Sequence, residues 1–283
     1  MTQLVVRRLL IDLERPFERH WAGGDAFRSA FMNALSMSFP VGEQFFIDSV
    51  RQGLKGLPDL PRSRFEREVQ GFVGQEATHR RIHALFNGHL ENLGYRNRWE
   101  ERIRRRLKRL EGADPRHAVA ATAATEHFTA ILAEHLLAHP DSIGPCEPRL
   151  LTMWLWHASE ESEHKSTAFD LYRALGGNER WRLRWFRLVT MFFLTDVLRQ
   201  TVANLRHDRA LWRWSTWKSA WRFLFGPTGL VRLTYRPWRE YLRPDFHPSQ
   251  QESGRAHRWL SENAQAYRIV GESTPPTRAP VAA

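Results

Sequence analysis

At 283 residues the chain can bury a full-sized core, and a composition that is 42% hydrophobic and 12% aromatic excludes disorder over most of its length. Its single cysteine, Cys146, excludes a disulfide framework and any Cys-x-x-Cys zinc or redox site, which fits a reducing, cytoplasmic setting. The formal charge of +11 is concentrated late in the chain, because residues 179–246 hold 14 Lys and Arg against 5 Asp and Glu together with 7 of the 12 Trp.

No secretory signal is expected from the opening residues, where LVV is followed at once by Arg7 and Arg8. Apolar residues then recur at three- and four-residue spacing almost throughout, and no alternating strand with a hairpin turn interrupts them, which predicts an all-α fold. A first helix is expected over 25–54, capped after Gly23-Gly24-Asp25, with Pro40 kinking or restarting it. A second runs over about 61–93 and stops at Gly94. A shorter amphipathic helix, with Trp99, Ile103, Leu107 and Leu110 on one stripe, leads to Gly112. Long helices follow over 115–138, closed by His139-Pro140, and over 147–175, ended by Gly176-Gly177. Four of these helices are long enough to build a bundle from residues 1–178. Residues 179–246 read as a basic, Trp-rich helical extension packed on it, broken at Gly226-Pro227-Thr228-Gly229, and 247–283 as a mostly disordered tail. The most apolar window, 188–198, carries Asp196 and is too short to span a bilayer.

The chemistry lies on the helical stripes. In the second helix one stripe passes through Phe65, Val69 and Phe72, then Glu76, His79 and His83, then Phe86 and Leu90. In the helix over 147–175 another passes through Leu150 and Met153, then His157, Glu161 and His164, then Ala168 and Leu171. Each therefore aims a Glu-x-x-His pair at the core. The other two long helices offer one carboxylate apiece, Glu43 beside Phe39, Phe46, Ile47 and Val50, and Glu126 beside Val119, Thr122, Ala130 and Ala133. Two Glu-x-x-His helices and two single-Glu helices make the ligand set of di-iron or di-manganese carboxylate bundles. Four carboxylates buried together are strongly unfavourable unless cations compensate them. His83 reads as a core histidine hydrogen-bonded to a neighbour. Glu160 and Glu163 fall off the stripe and read most simply as a solvated face, with contacts behind the metal ligands as the alternative, so that Gln at either position should leave metal content nearly intact.

The strings ALSMSFPVGEQFF (34–46), FVGQEATHRRIHALFN (72–87) and WLWHASEESEHKSTAFDLY (154–172), with the late string YLRPDFHP (241–248), resemble the bacterial family labelled predicted metal-dependent hydrolase. The resemblance covers about residues 5–248 and implies a ferritin-like fold around two metals. The arrangement His157-x-x-x-Glu161-x-x-His164 is also similar to that of di-iron N-oxygenases of the p-aminobenzoate N-oxygenase type, in which an extra histidine precedes the last Glu-x-x-His by one turn. That resemblance implies a seven-residue site of Glu43, Glu76, His79, Glu126, His157, Glu161 and His164, with Glu76 and Glu161 as expected bridges.

The expected function is an O2-activating di-iron, or mixed iron–manganese, oxidoreductase acting on a small-molecule or lipid-like substrate, with O2 as co-substrate and an electron-donor protein and a second copy of the chain as its partners. The alternative is a two-metal hydrolase, in which the same ions make a nucleophilic water and polarise an ester or phosphoryl group. Iron storage or a structural metal bundle ranks below both. For 179–246, packing against the bundle competes with peripheral contact at an anionic membrane on the cytoplasmic side, where Trp rings sit at the interface and Arg reaches headgroups. Nucleic acid is not expected, because no base-reading motif accompanies the charge.

Overall fold

The computed structural model describes residues 4–251 and 253–271. Among the described residues the chain is all-α apart from one small sheet. Helix α1 (Ala26–Lys55) starts at Asp25, whose side chain accepts a hydrogen bond from the Arg28 amide. It runs through Pro40 without stopping. Proline cannot donate to the carbonyl one turn back, at Ser36, and that oxygen is satisfied instead by Asn87 Nδ2 at 3.0 Å. The neighbouring Met37 carbonyl takes Asn97 Nδ2 at 2.7 Å. Of the kink or restart expected at Pro40, the restart does not occur: the helix is continuous, and the carbonyls freed there are met by amides from elsewhere in the chain.

Helices α2 (Asp59–Asn92), α3 (Arg98–Leu107) and α4 (Pro115–Ala138) follow. Asp114 caps α4 and Pro115 occupies its first turn, where a missing N–H costs nothing. The helix expected over 147–175 is two, α5 (Pro148–His164) and α6 (Thr167–Ala174), separated at Lys165–Ser166. No glycine or proline marks that break. It coincides with Lys165 Nζ reaching the Gln251 carbonyl at 2.7 Å and Ser253 Oγ at 2.8 Å, and with Thr167 Oγ1 donating to Glu68 at 2.9 Å.

Helix α1 packs on α2 and on α4, and α4 packs on α5 and α6, which return to α2. This closed circuit surrounds the polar centre described below. Around it lie two apolar clusters, one built from Phe31, Phe86, Leu150 and Trp156, the other from Val50, Phe72, Val119 and Leu171. Helix α7 (Glu179–His207) covers α1 and α4. Helices α8 (Trp214–Phe225) and α9 (Leu230–Glu240) lie against each other, α8 also meeting α1 and α9 meeting α4.

The tail expected to be disordered from 247 carries order through 271. Helix α10 (Gly254–Glu262) packs on α5 and α4, and β2 (Tyr267–Ile269) pairs antiparallel with β1 (Arg7–Leu9). The remaining tail lies outside the described residues. Three-residue strands whose partners lie at opposite ends of the sequence produce no local hairpin signal, so periodicity could not reveal the sheet. The N-terminal segment crosses α2 where Gly71 and Gly74 leave room. A Cβ on Gly71 would stand 2.6 Å from Leu4 Cβ, and one on Gly74 would stand 2.3 Å from Val6 Cγ2. This close approach delivers Arg7 to α5.

Candidate metal centre

All seven residues named from the sequence stripes and their resemblance, Glu43, Glu76, His79, Glu126, His157, Glu161 and His164, are buried. One ligand atom from each of Glu76, His79, Glu161 and His164 lies within 4.8 Å of the others, and the same holds for Glu43, His83 and His157. Both Glu-x-x-His pairs therefore meet in one four-residue cluster, and a second cluster adjoins it. Glu161 links the two: its Oε1 is 2.8 Å from His157 Nε2, 3.4 Å from His79 Nδ1 and 3.8 Å from His164 Nε2. Glu126 joins neither group, but its Oε2 lies 2.8 Å from His164 Nδ1.

His83 has the hydrogen-bonded neighbours expected of a core histidine, and its ligand atom also lies within 4.8 Å of those of Glu43 and His157. Its Nε2 is 2.7 Å from His157 Nδ1 and its Nδ1 is 2.9 Å from Ser36 Oγ, which donates in turn to Asn87 Oδ1. The stripe through Glu76, His79 and His83 had marked its position. What the stripe could not show was which opposing side chain it meets.

The expectation of a solvated face at Glu160 and Glu163 is overturned. Glu160 is fully buried, with Oε2 2.9 Å from His79 Nε2 and Oε1 3.1 Å from Arg7 Nη1. Glu163 accepts two further hydrogen bonds from Arg7, at 2.7 and 3.0 Å, and one from Gln75 Nε2 at 2.9 Å. The N-terminal segment covers this face of α5, and nothing in the local periodicity of α5 records that cover. Glu160 holds one nitrogen of His79, so the other, Nδ1, faces Glu161 without a hydrogen bond. An outer carboxylate that fixes the tautomer of a metal-ligating imidazole has this arrangement.

The electrostatics are those of a site short of positive charge. Burial pushes the Glu43 and Glu76 carboxyls well above their ordinary range, and for Glu76 the neighbouring Glu126, Glu161 and Glu43 add to it. Burial takes Glu126 to about 7 despite the His164 ring beside it. Burial also works against the Glu161 anion, but His164, His157 and His79 together hold it well below the usual carboxylate range. Burial opposes the His79 cation, and the hydrogen bond to Glu160 with the nearby Glu161 carboxylate nevertheless raises it to about 10. His157 is lowered to about 4 by burial and by His79, and His83 is lowered by burial and both neighbouring rings.

A divalent-ion pair fits these residues, and the test is the set of polar atoms left without protein partners. Both oxygens of Glu43, both of Glu76, Glu126 Oε1, Glu161 Oε2, His79 Nδ1 and His164 Nε2 are buried and accept or donate no hydrogen bond. Buried polar groups are ordinarily paired, and eight orphans converging on one place are the donor set of a metal centre. Carboxylate oxygens with imidazole nitrogens suit iron, manganese or zinc.

The sequence model of the family described as predicted metal-dependent hydrolase matches residues 5–252. The chain belongs to that family. No curated protein and no solved structure matches it. The match spans the N-terminal strand that carries Arg7 as well as every helix of the metal centre. Membership in the predicted metal-dependent hydrolases therefore agrees with buried His and Glu clusters suited to metal.

Proposed function

We propose that this chain is a two-metal-ion hydrolase whose ions are held by Glu43, Glu76, His79, Glu126, His157, Glu161 and His164, with His83 beside them. The observation that carries this reading is the convergence of unpartnered carboxylate oxygens and imidazole nitrogens, and the family description supports the reaction class. When bound, such ions supply Lewis acidity toward a substrate oxygen and make a coordinated water acidic near neutral pH. The chain does the rest. Glu161, placed between three imidazoles, would hold the ions where the two clusters meet. Glu160 orients His79, and Arg7 pairs with both Glu160 and Glu163, offsetting one of their two charges. The side chains beside His157 and Glu161 are apolar, including Phe31, Leu35, Phe39 and Leu136, and exclude bulk water.

A second reading, O2 activation by two iron ions with an electron donor, is favoured by one specific observation. The two Glu-x-x-His pairs and the single Glu43 and Glu126 come from four different helical segments, the pattern of oxygen-activating carboxylate bundles. One experiment separates the readings. Protein reconstituted with Fe(II), Mn(II) or Zn(II) is assayed for O2 consumption and, in parallel, for cleavage of a panel of carboxyl and phosphate esters. Metal-dependent cleavage without O2 uptake supports hydrolysis; stoichiometric O2 uptake by the Fe(II) form without cleavage replaces it with the second reading. Failure to retain any of the three metals defeats both.

The exposed tryptophans support peripheral contact with an anionic membrane. Trp212 is 90% exposed, Trp214 81% and Trp221 67%, with Arg213, Lys218 and Arg222 interleaved. Among the described residues no helix is long and apolar enough to cross a membrane.

A further inference from the structure

A cavity of about 270 Å³ opens between α1, α3, α4 and α7 and ends at Glu43. Its walls are apolar, formed by Phe45, Trp99, Ile103, Ala121, Leu188 and Phe192 among others. A second apolar cavity lies on the side of His157 and Glu161, and the two share Phe39, Thr129 and Phe193. The Phe39 ring stands 4.5 Å from that of His83 and 4.8 Å from that of His157, so this shared wall touches the metal centre. Apolar space of this size with a few polar groups at defined positions is what small-molecule sites look like.

The polar groups sit at opposite ends. At the inner end is the Glu43 carboxyl, buried and without a hydrogen-bond partner. At the outer end are Arg106 and Arg109 on and just beyond α3. Arg106 pairs with the buried Asp196, which also holds Arg102, and lies 4.1 Å from the centre of the Phe192 ring. Two guanidiniums, Arg106 and Arg109, against the single carboxylate of Asp196 leave the mouth positive. Arg109 is exposed.

We propose that this cavity is the substrate channel and that it takes an amphiphile with an anionic group at one end and an apolar body. The arginines at the mouth hold the anion there and the apolar walls take the rest of the molecule, so the substrate enters with its uncharged end first. The bond that reaches the metals is then separated from the anionic group by an apolar spacer. This assignment deepens the two-metal reading and rests on it for what happens at the inner end, although the binding specificity of the channel stands on the cavity alone.

The test is calorimetric titration of the purified full-length chain with dodecanoate and, separately, with dodecyltrimethylammonium, with metal content measured on the same samples. Dodecanoate is expected to bind one per chain, about ten-fold more tightly than the cation. Ala121→Phe, which fills the channel from α4, and Arg109→Glu, an exposed change that leaves the fold intact, should each weaken dodecanoate by about ten-fold. No binding of dodecanoate to metal-containing protein overturns the channel and leaves the metal reading standing. Equal binding by wild type and both variants also overturns it, because the ligand would then sit on another surface such as the exposed tryptophans. Binding with the expected pattern in a chain that retains none of the three metals after reconstitution keeps the channel and defeats the metal reading.

Discussion

Glu160 illustrates how much a single side chain's role depends on what covers it. A carboxylate that accepts the Nε2 proton of His79 raises the basicity of the opposite nitrogen and fixes the ring, and losing such an outer partner typically lowers metal affinity by about 10- to 100-fold. Glu160→Ala is therefore expected to lower the affinity of the centre by about that factor in a competition titration with a chromophoric chelator, and Glu163→Ala, which touches Arg7 but no imidazole, by much less. Equal effects would remove Glu160 from its positioning role. His127 gives a prediction in the pH dimension. Its ring is buried among Phe186, Tyr241 and Phe246, with Nε2 3.1 Å from the Pro237 carbonyl. Burial lowers it to about 3. Its folded form stays neutral while the unfolded chain takes up a proton near the ordinary value of about 6.5. Stability from this group is then complete above pH 6.5 and is lost progressively as pH falls from about 6.5 toward 3. Urea midpoints at pH 7 and pH 4.5 should differ more for the wild type than for His127→Gln.

At the scale of elements, the N-terminal strand and the Trp-rich helix behave in opposite ways. The strand segment is locked onto α2 by Gly74, and Gly74→Leu would push side-chain atoms into Val6. Such overpacking costs about 1–3 kcal/mol, visible as a shift in the denaturant midpoint, and should loosen Arg7 from Glu160 and lower metal affinity in the same variant. A normal affinity alongside the stability loss would show that Arg7 does not depend on this contact. Helix α8 turns outward instead. Trp214, Trp217 and Trp221 recur at three- and four-residue spacing on its exposed side, beside Lys218. Basic residues near an acidic leaflet contribute about 1 kcal/mol each and are screened by salt. Co-sedimentation with phosphatidylserine vesicles should weaken as ionic strength rises, and Trp214→Ala with Trp221→Ala should weaken it further. Binding to neutral and anionic vesicles alike, insensitive to salt, would argue against this surface as the anionic-lipid contact.

For the whole molecule, the centre links metal content to global stability. Ions that bind only the folded chain stabilise it by an amount that grows with the logarithm of their concentration over Kd, about 2.7 kcal/mol at a hundred-fold excess. Chelation should lower the melting temperature of the wild type, and the Glu76→Ala, Glu161→Ala double variant should show no response to chelator. A wild type indifferent to chelation would mean that the clustered carboxylates hold no ion.

The sequence by itself determined the helices and the residues that face inward. Helical periodicity is local, so Glu43, Glu76, His79, Glu126, His157, Glu161 and His164 could be placed on core-facing stripes without knowing what lay opposite. Their burial follows from that placement. Partners across the core are another matter. The meeting of His83 with His157, the rescue of the Pro40 irregularity by Asn87, the break at Lys165–Ser166 and the burial of Glu160 beneath Arg7 all join residues distant in the chain. The sheet between β1 and β2 is the extreme case, since its strands lie at opposite ends of the chain. Only the tertiary structure decides such contacts, because the free energy that fixes them comes from packing between elements and leaves no period in either partner's own sequence.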